Sequence, residues 1–239
     1  MSARYGVLFL LLAGLVALTA VQSRFGLTRL GLMWTATSLV LLSVCYFSGR
    51  SALLGKHVDG TRGLWSWWLH WPYFAISASG MHLVRWTQPG AAFVQVAPQL
   101  FLGRRLTAAQ ASRFRASLGR DPVAVLDLAA EFPATSAFAR LSGYRSVPLL
   151  DATAPPINVL SETVDWLVRQ TREGPVYVHC ALGHGRSATF VTAYLLATEQ
   201  ASTVDDALHI VRERRIRVGP NTSQREVLRQ YAARCRPLQ

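Results

Sequence analysis

The chain has 239 residues, with 25 Lys and Arg against 13 Asp and Glu, which gives a formal net charge of +12. Apolar residues make up 51% and charged residues 16%, a composition too hydrophobic for a disordered chain and unusual for a wholly soluble protein. The three cysteines (Cys45, Cys180 and Cys235) are widely spaced, so they form neither a disulfide framework nor the paired spacing of a structural zinc site. This cysteine usage favours a reducing compartment.

Two long uncharged segments near the N-terminus predict membrane-spanning helices. Residues 5–23 and 30–49 carry no charged side chain, and each is long enough to cross about 30 Å of hydrocarbon as a helix. The alternative for the first segment is a cleaved signal peptide, since a short basic start precedes it. Its cleavage pattern is poor, however, and a second span follows within about ten residues. We therefore expect two integral membrane spans.

A third uncharged stretch covers residues 63–84 and contains Pro72, and it forms most of a tryptophan-rich segment over about residues 63–86. This composition suits the lipid headgroup layer, although the tryptophans could instead belong to a protein core. With two spans and both chain ends in the cytoplasm, Arg4 and three basic residues after the second span lie inside, while only two arginines lie outside. A third span would reverse this distribution. We expect a membrane region over residues 1–92, with an interfacial third stretch, followed by a cytoplasmic domain.

Beyond about residue 93, short β-rich runs alternate with amphipathic stretches, which predicts an α/β domain over residues 93–239. Strands are predicted near residues 93–96, 100–103, 123–128, 146–150 and 176–179. Helices are predicted over residues 107–119 (with Thr107 as N-cap), 157–172, 187–199, 203–215 and 223–234. This order of elements indicates a central sheet flanked by helices.

The most informative segment is residues 175–189, where an apolar strand runs into Cys180, a glycine-bearing loop and a helix-forming run. Cys180 and Arg186 at this spacing are a weak signal alone, but His179, Ser187 and two glycines at fixed positions around them make the pattern specific. A loop between a strand and a helix points successive backbone N–H groups into one concavity, where the helix dipole adds positive potential. The segment therefore predicts a phosphate-binding loop.

Each residue type in this loop has a physical reason. Gly183 and Gly185 allow backbone angles that a Cβ would oppose, and they let an anion approach closely. Arg186 can offer two parallel N–H donors to phosphate oxygens, which Lys cannot do. The helix N-terminus and the neighbouring Arg also favour the thiolate of Cys180, which is the nucleophilic form. The loop can therefore hold both a nucleophile and its target.

These residues resemble the cysteine-dependent protein tyrosine phosphatases, and within them the dual-specificity branch. The resemblance extends over residues 93–239. Residues 97–103 resemble the opening strand pair of that branch, and residues 144–151 resemble the approach to its acid loop. The resemblance implies an α/β dual-specificity-phosphatase-like domain, here preceded by two transmembrane helices.

The same resemblance implies roles for individual residues. Cys180 attacks phosphorus, and Asp151, which lies 29 residues upstream, protonates the leaving oxygen. Ser187 donates a hydrogen bond to the Cys180 sulfur and helps it leave when water attacks the phosphocysteine, while His179 supports the loop structurally. No metal or cofactor is required. The phosphate-binding loop consists of Ala181, Leu182, Gly183, His184, Gly185 and Arg186, and Arg186 holds the equatorial oxygens.

Three assignments have alternatives. Asp151 enters a loop that contains two prolines, which suits a general acid on a neighbouring loop, but it could instead be a helix N-cap or a turn residue. Asp127 is the rival acid, although its place just inside a strand end favours a structural hydrogen bond. His184 either contacts the substrate or faces solvent. A basic run at residues 212–217 is typical of a solvated helix end, but it could attract acidic substrate or anionic lipid.

The sequence thus predicts a membrane-anchored phosphatase acting on phosphotyrosine and phosphoserine or phosphothreonine in proteins. A lipid or inositol phosphate is the alternative substrate, because two spans hold the loop near the bilayer. Ala181 and Leu182 weigh slightly against a polyphosphorylated head group, since lipid-specific relatives often carry basic residues there. A phosphate-binding module without turnover is a lesser alternative. Arsenate reductase activity is disfavoured because the acid precedes the cysteine in the chain. Nucleic-acid binding is disfavoured because no recognition motif is present. The sequence does not indicate an oligomeric state.

Overall fold

The structure is a computed structural model that describes residues 2–87 and 90–235. Within these residues the chain forms two compact units. The first contains residues 2–57, 61–87 and 130–133, and the second contains residues 58–60, 90–129 and 134–235.

The first unit is built from long helices, namely α1 (Ser2–Gln22), α2 (Gly26–Ser48) and α3 (Leu64–Thr87), with a short 3-10 turn (Ser51–Leu54) before α3. Helices α1 and α2 pack along each other, and the buried Ser43 hydroxyl of α2 donates a hydrogen bond of 2.8 Å to the Gly6 carbonyl of α1. The Tyr46 ring of α2 also contacts Tyr5 and Phe9 of α1, at 5.6 and 5.4 Å between ring centroids.

Helices α1 and α2 are long and apolar enough to cross a membrane, over residues 3–22 and 26–48. Many of their large apolar side chains are exposed, among them Leu11, Leu15 and Leu27. An exposed apolar surface of this extent suits hydrocarbon better than water. The two helices contain all but the last residue of each predicted span.

Helix α3 covers the tryptophan-rich stretch and continues through Pro72. Its tryptophans divide between two environments. Trp67 packs edge-on against Phe74 inside the unit, at 5.4 Å between centroids, whereas Trp65, Trp68 and Trp71 are exposed. The stretch therefore combines the two environments that the sequence analysis treats as alternatives, an exposed aromatic surface and a packed core.

The second unit contains a five-stranded mixed sheet with the order β1-β2-β5-β3-β4. Strand β1 runs antiparallel to β2, while β2, β5, β3 and β4 run parallel to one another. The strands are β1 (Phe93–Ala97), β2 (Leu100–Arg104), β3 (Ala124–Ala129), β4 (Gly143–Leu149) and β5 (Val176–Cys180). The helices are α4 (Ala108–Leu118), α5 (Ile157–Glu173), α6 (Arg186–Ala197), α7 (Val204–Arg214) and α8 (Thr222–Cys235). The predicted α/β fold with a mixed central sheet is confirmed.

Strand β5 lies in the middle of the sheet, and all of its residues are buried. Parallel strands covered on both faces read as continuous apolar runs, which is why this strand is recognisable in the sequence. The carboxyl ends of the parallel strands meet at one edge of the sheet, where ligands bind in open α/β folds. Cys180 at the end of β5 and the residues that follow β4 therefore share that edge.

Local signals fix several helix ends. The Thr107 hydroxyl accepts a hydrogen bond from the Gln110 N–H, and the Gln110 side chain accepts one from the Thr107 N–H, which forms a capping box. Gly119 ends the helix with a φ of 66°. The predicted start of α4 at Thr107 is thus confirmed with its physical cause.

The second unit also includes residues 58–60, which precede α3 in the chain. The Ser146 N–H donates to the Val58 carbonyl at 3.1 Å, and the Ala134 N–H donates to the Gly60 carbonyl at 2.9 Å. A Cβ on Gly60 would clash with the Tyr144 hydroxyl, and the φ of 77° at Gly60 also favours glycine. A fragment that began at the predicted boundary of residue 93 would lack these contacts.

Candidate active site

The loop between β5 and α6 begins at Cys180 and ends where α6 starts at Arg186. Gly183 has a φ of 76°, and a Cβ there would clash with the backbone of Gly103. Both the backbone angle and the close approach require glycine at this position. Gly185 differs from the expectation, because its φ of −106° is open to other residues. Its restriction is spatial, since a Cβ would lie 3.1 Å from Oε1 of Gln224.

The Cys180 sulfur is buried and has two neighbours that can donate hydrogen bonds to it. The Gly183 N–H donates to Sγ at 3.2 Å, and the Ser187 hydroxyl lies 3.3 Å from Sγ. The side chain is only 3% exposed. Hydrogen bonds from a backbone amide and a hydroxyl stabilise negative charge on an acceptor in a buried site. The predicted pairing of Ser187 with Cys180 is present in this geometry.

Arg186 is the first residue of α6, and its side chain is 1% exposed. Its Nη1 donates to the Leu149 carbonyl at the end of β4, at 2.8 Å, and its Nη2 lies 3.0 Å from Oδ1 of Asp151. Arg186 therefore connects the loop that holds Cys180 with the turn that carries Asp151. Two residues that the sequence places 35 positions apart meet at the same strand edge.

Asp151 lies in a tight turn after β4 and is 71% exposed. The Leu150 carbonyl accepts hydrogen bonds from the Thr153 N–H at 3.3 Å and from the Thr153 hydroxyl at 2.8 Å. Pro156, not Asp151, is the N-cap of α5, so the helix-cap alternative for Asp151 is wrong. The carboxylate is at the rim of the loop from Cys180 to Arg186, beside the Arg186 side chain.

Asp127 has a structural environment. It is fully buried, and it accepts hydrogen bonds from the Ala129 N–H at 3.0 Å and from the Tyr144 hydroxyl at 2.8 Å. Burial and the charge of Asp127 raise the pKa of Tyr144 well above its ordinary value, so this hydroxyl stays protonated and donates. These contacts favour the structural role over that of a rival acid.

His179 is buried directly before Cys180. Its Nδ1 lies 3.2 Å from the Cys180 carbonyl and 3.9 Å from Oδ1 of Asp127, and its ring stacks on Tyr177 at 5.5 Å between centroids. A histidine held in this way fixes the backbone at the start of the loop. The geometry fits the supporting role that the resemblance implies.

His184 is half-buried within the loop. Burial and the positive charges of Arg215, Arg217 and Arg104 lower its pKa from 6.5 to about 4. The imidazole is therefore neutral at pH 7 in the free protein, and it does not add a cation to the loop. Its carbonyl accepts a hydrogen bond of 3.1 Å from the Gly219 N–H, which ties the loop to the segment before α8.

Arg215 contributes to the site in a way that the sequence analysis missed. Its Nε donates to the Gly183 carbonyl at 3.0 Å and its Nη2 to the Leu182 carbonyl at 2.9 Å, while Nη1 donates to the Ala91 carbonyl at 2.8 Å. A guanidinium bound to two carbonyls of the loop fixes the peptide planes of the loop and with them the directions of their N–H groups. In the sequence Arg215 is one of several arginines in a basic run, and no spacing distinguishes it from its neighbours.

The mixed sheet and the loop from Cys180 to Arg186 give this unit a fold like that of the cysteine-dependent protein tyrosine phosphatases. Residues 123–234 match the family model of the dual specificity phosphatase catalytic domain. This part of the chain is therefore similar to the dual-specificity branch that the sequence resemblance names.

Individual proteins show the same similarity. The chain is 33% identical over 132 residues to Dual specificity protein phosphatase 1-B of Xenopus laevis, covering 54% of this chain and 34% of that protein. It is 31% identical over 134 residues to Dual specificity protein phosphatase 2 of Homo sapiens, covering 54% and 40%. The crystal structure of human DUSP28 matches with a TM-score of 0.51 and 26% identity, covering 59% of this chain and 96% of that one. The chain thus spans only 34% to 40% of the length of these two curated relatives.

Proposed function

We propose that this chain is a membrane-anchored phosphatase that hydrolyses phosphotyrosine and phosphoserine or phosphothreonine in proteins through a phosphocysteine intermediate. The observation that carries the proposal is the loop itself, where the Cys180 sulfur lies 3.2 Å from the Gly183 nitrogen and 3.3 Å from the Ser187 hydroxyl. The buried Arg186 stands at the start of the helix that follows. A nucleophile placed in an anion-binding loop is the arrangement that phosphoryl transfer to sulfur requires.

In the first step, the loop amides and the N-terminus of α6 bind the substrate phosphate, and Arg186 donates to two of its oxygens. The Cys180 thiolate forms an S–P bond while the P–O bond to the leaving group breaks. The electron pair of that bond goes to the leaving oxygen. Asp151 gives its proton to this oxygen, so the product leaves as a neutral alcohol or phenol.

In the second step, water attacks the phosphorus of the phosphocysteine, and the Asp151 carboxylate accepts a proton from it. The S–P bond breaks with its electron pair returning to sulfur, and inorganic phosphate is released. The Ser187 hydroxyl donates to the departing sulfur and lowers the cost of its negative charge. The cycle ends with a thiolate at Cys180 and a proton on Asp151, as it began.

The 239-residue chain in detergent micelles is expected to hydrolyse an aryl phosphate at a rate that EDTA changes by less than about twofold, because a thiolate nucleophile needs no metal. The measurement is release of the phenol with and without the chelator. Activity that EDTA abolishes and a divalent cation restores would replace the thiolate mechanism with a metal-dependent one.

The same preparation distinguishes the proposed substrate from a lipid or inositol phosphate, an alternative that membrane anchoring favours. Phosphopeptides are compared with phosphorylated lipids in mixed micelles at equal phosphate concentration. A higher kcat/KM for phosphopeptides supports the protein substrate, and a higher value for the lipids supports the alternative.

Anchoring by α1 and α2 with a cytoplasmic catalytic domain is the second part of the proposal. It is supported by the length and exposed apolar surface of both helices and by the excess of basic residues on the predicted inner side. Topology reporters fused after Gly49 and at the C-terminus are expected to give cytoplasmic signals. An extracytoplasmic signal at either position would contradict this orientation.

A further inference from the structure

The turn that carries Asp151 has a strained residue at its centre. Ala152 directly follows Asp151 and has a φ of 56°, in the left-handed region that favours glycine. A residue other than glycine keeps this conformation only where the surrounding structure holds it. The contacts made by this turn therefore decide where the Asp151 carboxylate is found.

Two amide side chains at the beginning of α8 supply these contacts. The Asn221 Nδ2 donates to the Ala152 carbonyl at 2.7 Å, and the Gln224 Nε2 donates to the Thr153 carbonyl at 2.9 Å. Both carbonyls belong to the residues immediately after Asp151. Each residue of the turn after the carboxylate is thus bound by one side chain of α8.

Asn221 and Gln224 also fix each other. The Gln224 N–H donates to Oδ1 of Asn221, and the Asn221 N–H donates to Oε1 of Gln224, both at 3.0 Å. This reciprocal arrangement is a capping box, and it requires both amide oxygens to face the backbone of α8. The two amide nitrogens must then face outward, toward the carbonyls of the turn. Gln224 is only 1% exposed, so its amide is locked in this orientation.

The same element packs against the phosphate loop. A Cβ on Gly185 would lie 3.1 Å from Oε1 of Gln224, which shows how closely the two approach. The N-terminus of α8 therefore touches the loop that holds Cys180 and, through its amides, the turn that holds Asp151. One rigid element sets the separation between the two.

We propose that Asn221 and Gln224 are positioning residues that place Asp151 over the leaving oxygen of the substrate. The inference rests on the proposed function of Asp151 as the general acid. Neither amide touches the reacting atoms in this scheme, because each acts through the backbone of the turn. A displacement of a catalytic group by about 1 Å can reduce a rate about 100-fold, so loss of these hydrogen bonds has a measurable consequence.

The test uses variants that keep the cap of α8 and remove only the donor to the turn. In Asn221→Asp the carboxylate still accepts from the Gln224 N–H but cannot donate to Ala152, and Asn221→Ser does the same without adding charge. Gln224→Glu removes the second donor in the same way. Gln230→Glu, on the exposed face of α8, is the matched control for the added charge and is expected to match the wild type.

The readout is kcat/KM of the full-length protein for two aryl phosphates, phenyl phosphate with a poor leaving group and 4-nitrophenyl phosphate with a good one. Both Asn221 variants are expected to lose about tenfold or more on phenyl phosphate and less than about twofold on 4-nitrophenyl phosphate, because only a poor leaving group depends on the acid. Asp151→Asn sets the scale, with an expected loss of about 100-fold or more on phenyl phosphate. Asn221→Ser is expected to have no further effect in the Asp151→Asn background.

The outcomes separate failure of the positioning role from failure of the proposed function. If Asp151→Asn discriminates between the substrates while the Asn221 and Gln224 variants behave like the wild type, the positioning role is overturned and the acid role stands. The positioning role is also overturned if the Asn221 and Gln224 variants lose equally on both substrates. It is likewise overturned if the effect of Asn221→Ser adds to that of Asp151→Asn, because both results indicate a merely structural role. If Asp151→Asn lowers kcat/KM equally for both substrates, Asp151 is not the general acid, and the positioning role proposed for Asn221 and Gln224 is overturned as well.

Discussion

Replacing Cys180 by Ser is expected to lower kcat on aryl phosphates by roughly 10⁴- to 10⁶-fold, a loss of the size seen when an enzyme's nucleophile is removed. A serine hydroxyl in the same place is protonated at neutral pH, and no base within the described site is placed to activate it. The loop amides and Arg186 remain, so the variant is expected to bind tungstate within about threefold of the wild-type affinity. Turnover and anion binding are thereby separated in one protein.

The measurement pairs product release with calorimetric titration of tungstate. Cys45→Ala is the matched control, because Cys45 is a buried cysteine of α2 in the first unit and takes no part in the proposed chemistry. It is expected to retain wild-type turnover. Substantial hydrolysis by Cys180→Ser, or loss of hydrolysis in Cys45→Ala alone, would contradict the assignment of the nucleophile.

The parts of this site that could be predicted from sequence are those that local rules encode. Strand β5 has the continuous apolar run of a central parallel strand, and the loop after it carries its signature within a few residues. The predicted N-cap at Thr107 is equally local, and so is the glycine that the loop requires at position 183. Each depends on residues that are close in the chain, and the widest separation is the eight positions between His179 and Ser187.

The parts that could not be predicted depend on residues distant in the chain. Arg215 binds carbonyls 32 and 33 positions away, and Asn221 and Gln224 bind carbonyls 69 and 71 positions away. No spacing rule connects such pairs, because the sheet edge alone brings them together. The positive φ of Ala152 cannot be predicted from the sequence for the same reason. An alanine carries no turn signal, and its conformation is set by its tertiary partners. Gly185 shows the opposite case, because the loop pattern predicts a backbone role for this glycine whereas its restriction comes from the packed Gln224.

Arg186→Lys is expected to lower kcat/KM by about 10²- to 10³-fold, equivalent to about 2.7–4 kcal/mol of transition-state stabilisation. In the wild-type protein two nitrogens of the Arg186 guanidinium have different neighbours. Nη1 lies 2.8 Å from the Leu149 carbonyl, and Nη2 lies 3.0 Å from Oδ1 of Asp151. An ammonium keeps the charge but is a single point with no fork, so it cannot remain bound to Leu149 and also offer two parallel donors to phosphate oxygens. Tungstate affinity is expected to fall as well, because the anion uses the same donors.

The control for this substitution is Arg214→Lys, which changes an exposed arginine at the end of α7 and is expected to leave kcat/KM within about twofold. Because Arg186 is buried, the thermal transition and circular dichroism of both variants are measured beside the rates. A folded Arg186→Lys protein with nearly wild-type kcat/KM would mean that positive charge alone is sufficient and that bidentate geometry does not contribute. A loss confined to tungstate affinity, with kcat unchanged at saturating substrate, would assign Arg186 to uniform binding of ground state and transition state. Only a fall in both kcat and kcat/KM indicates that the guanidinium fork stabilises the phosphoryl group during its transfer to Cys180.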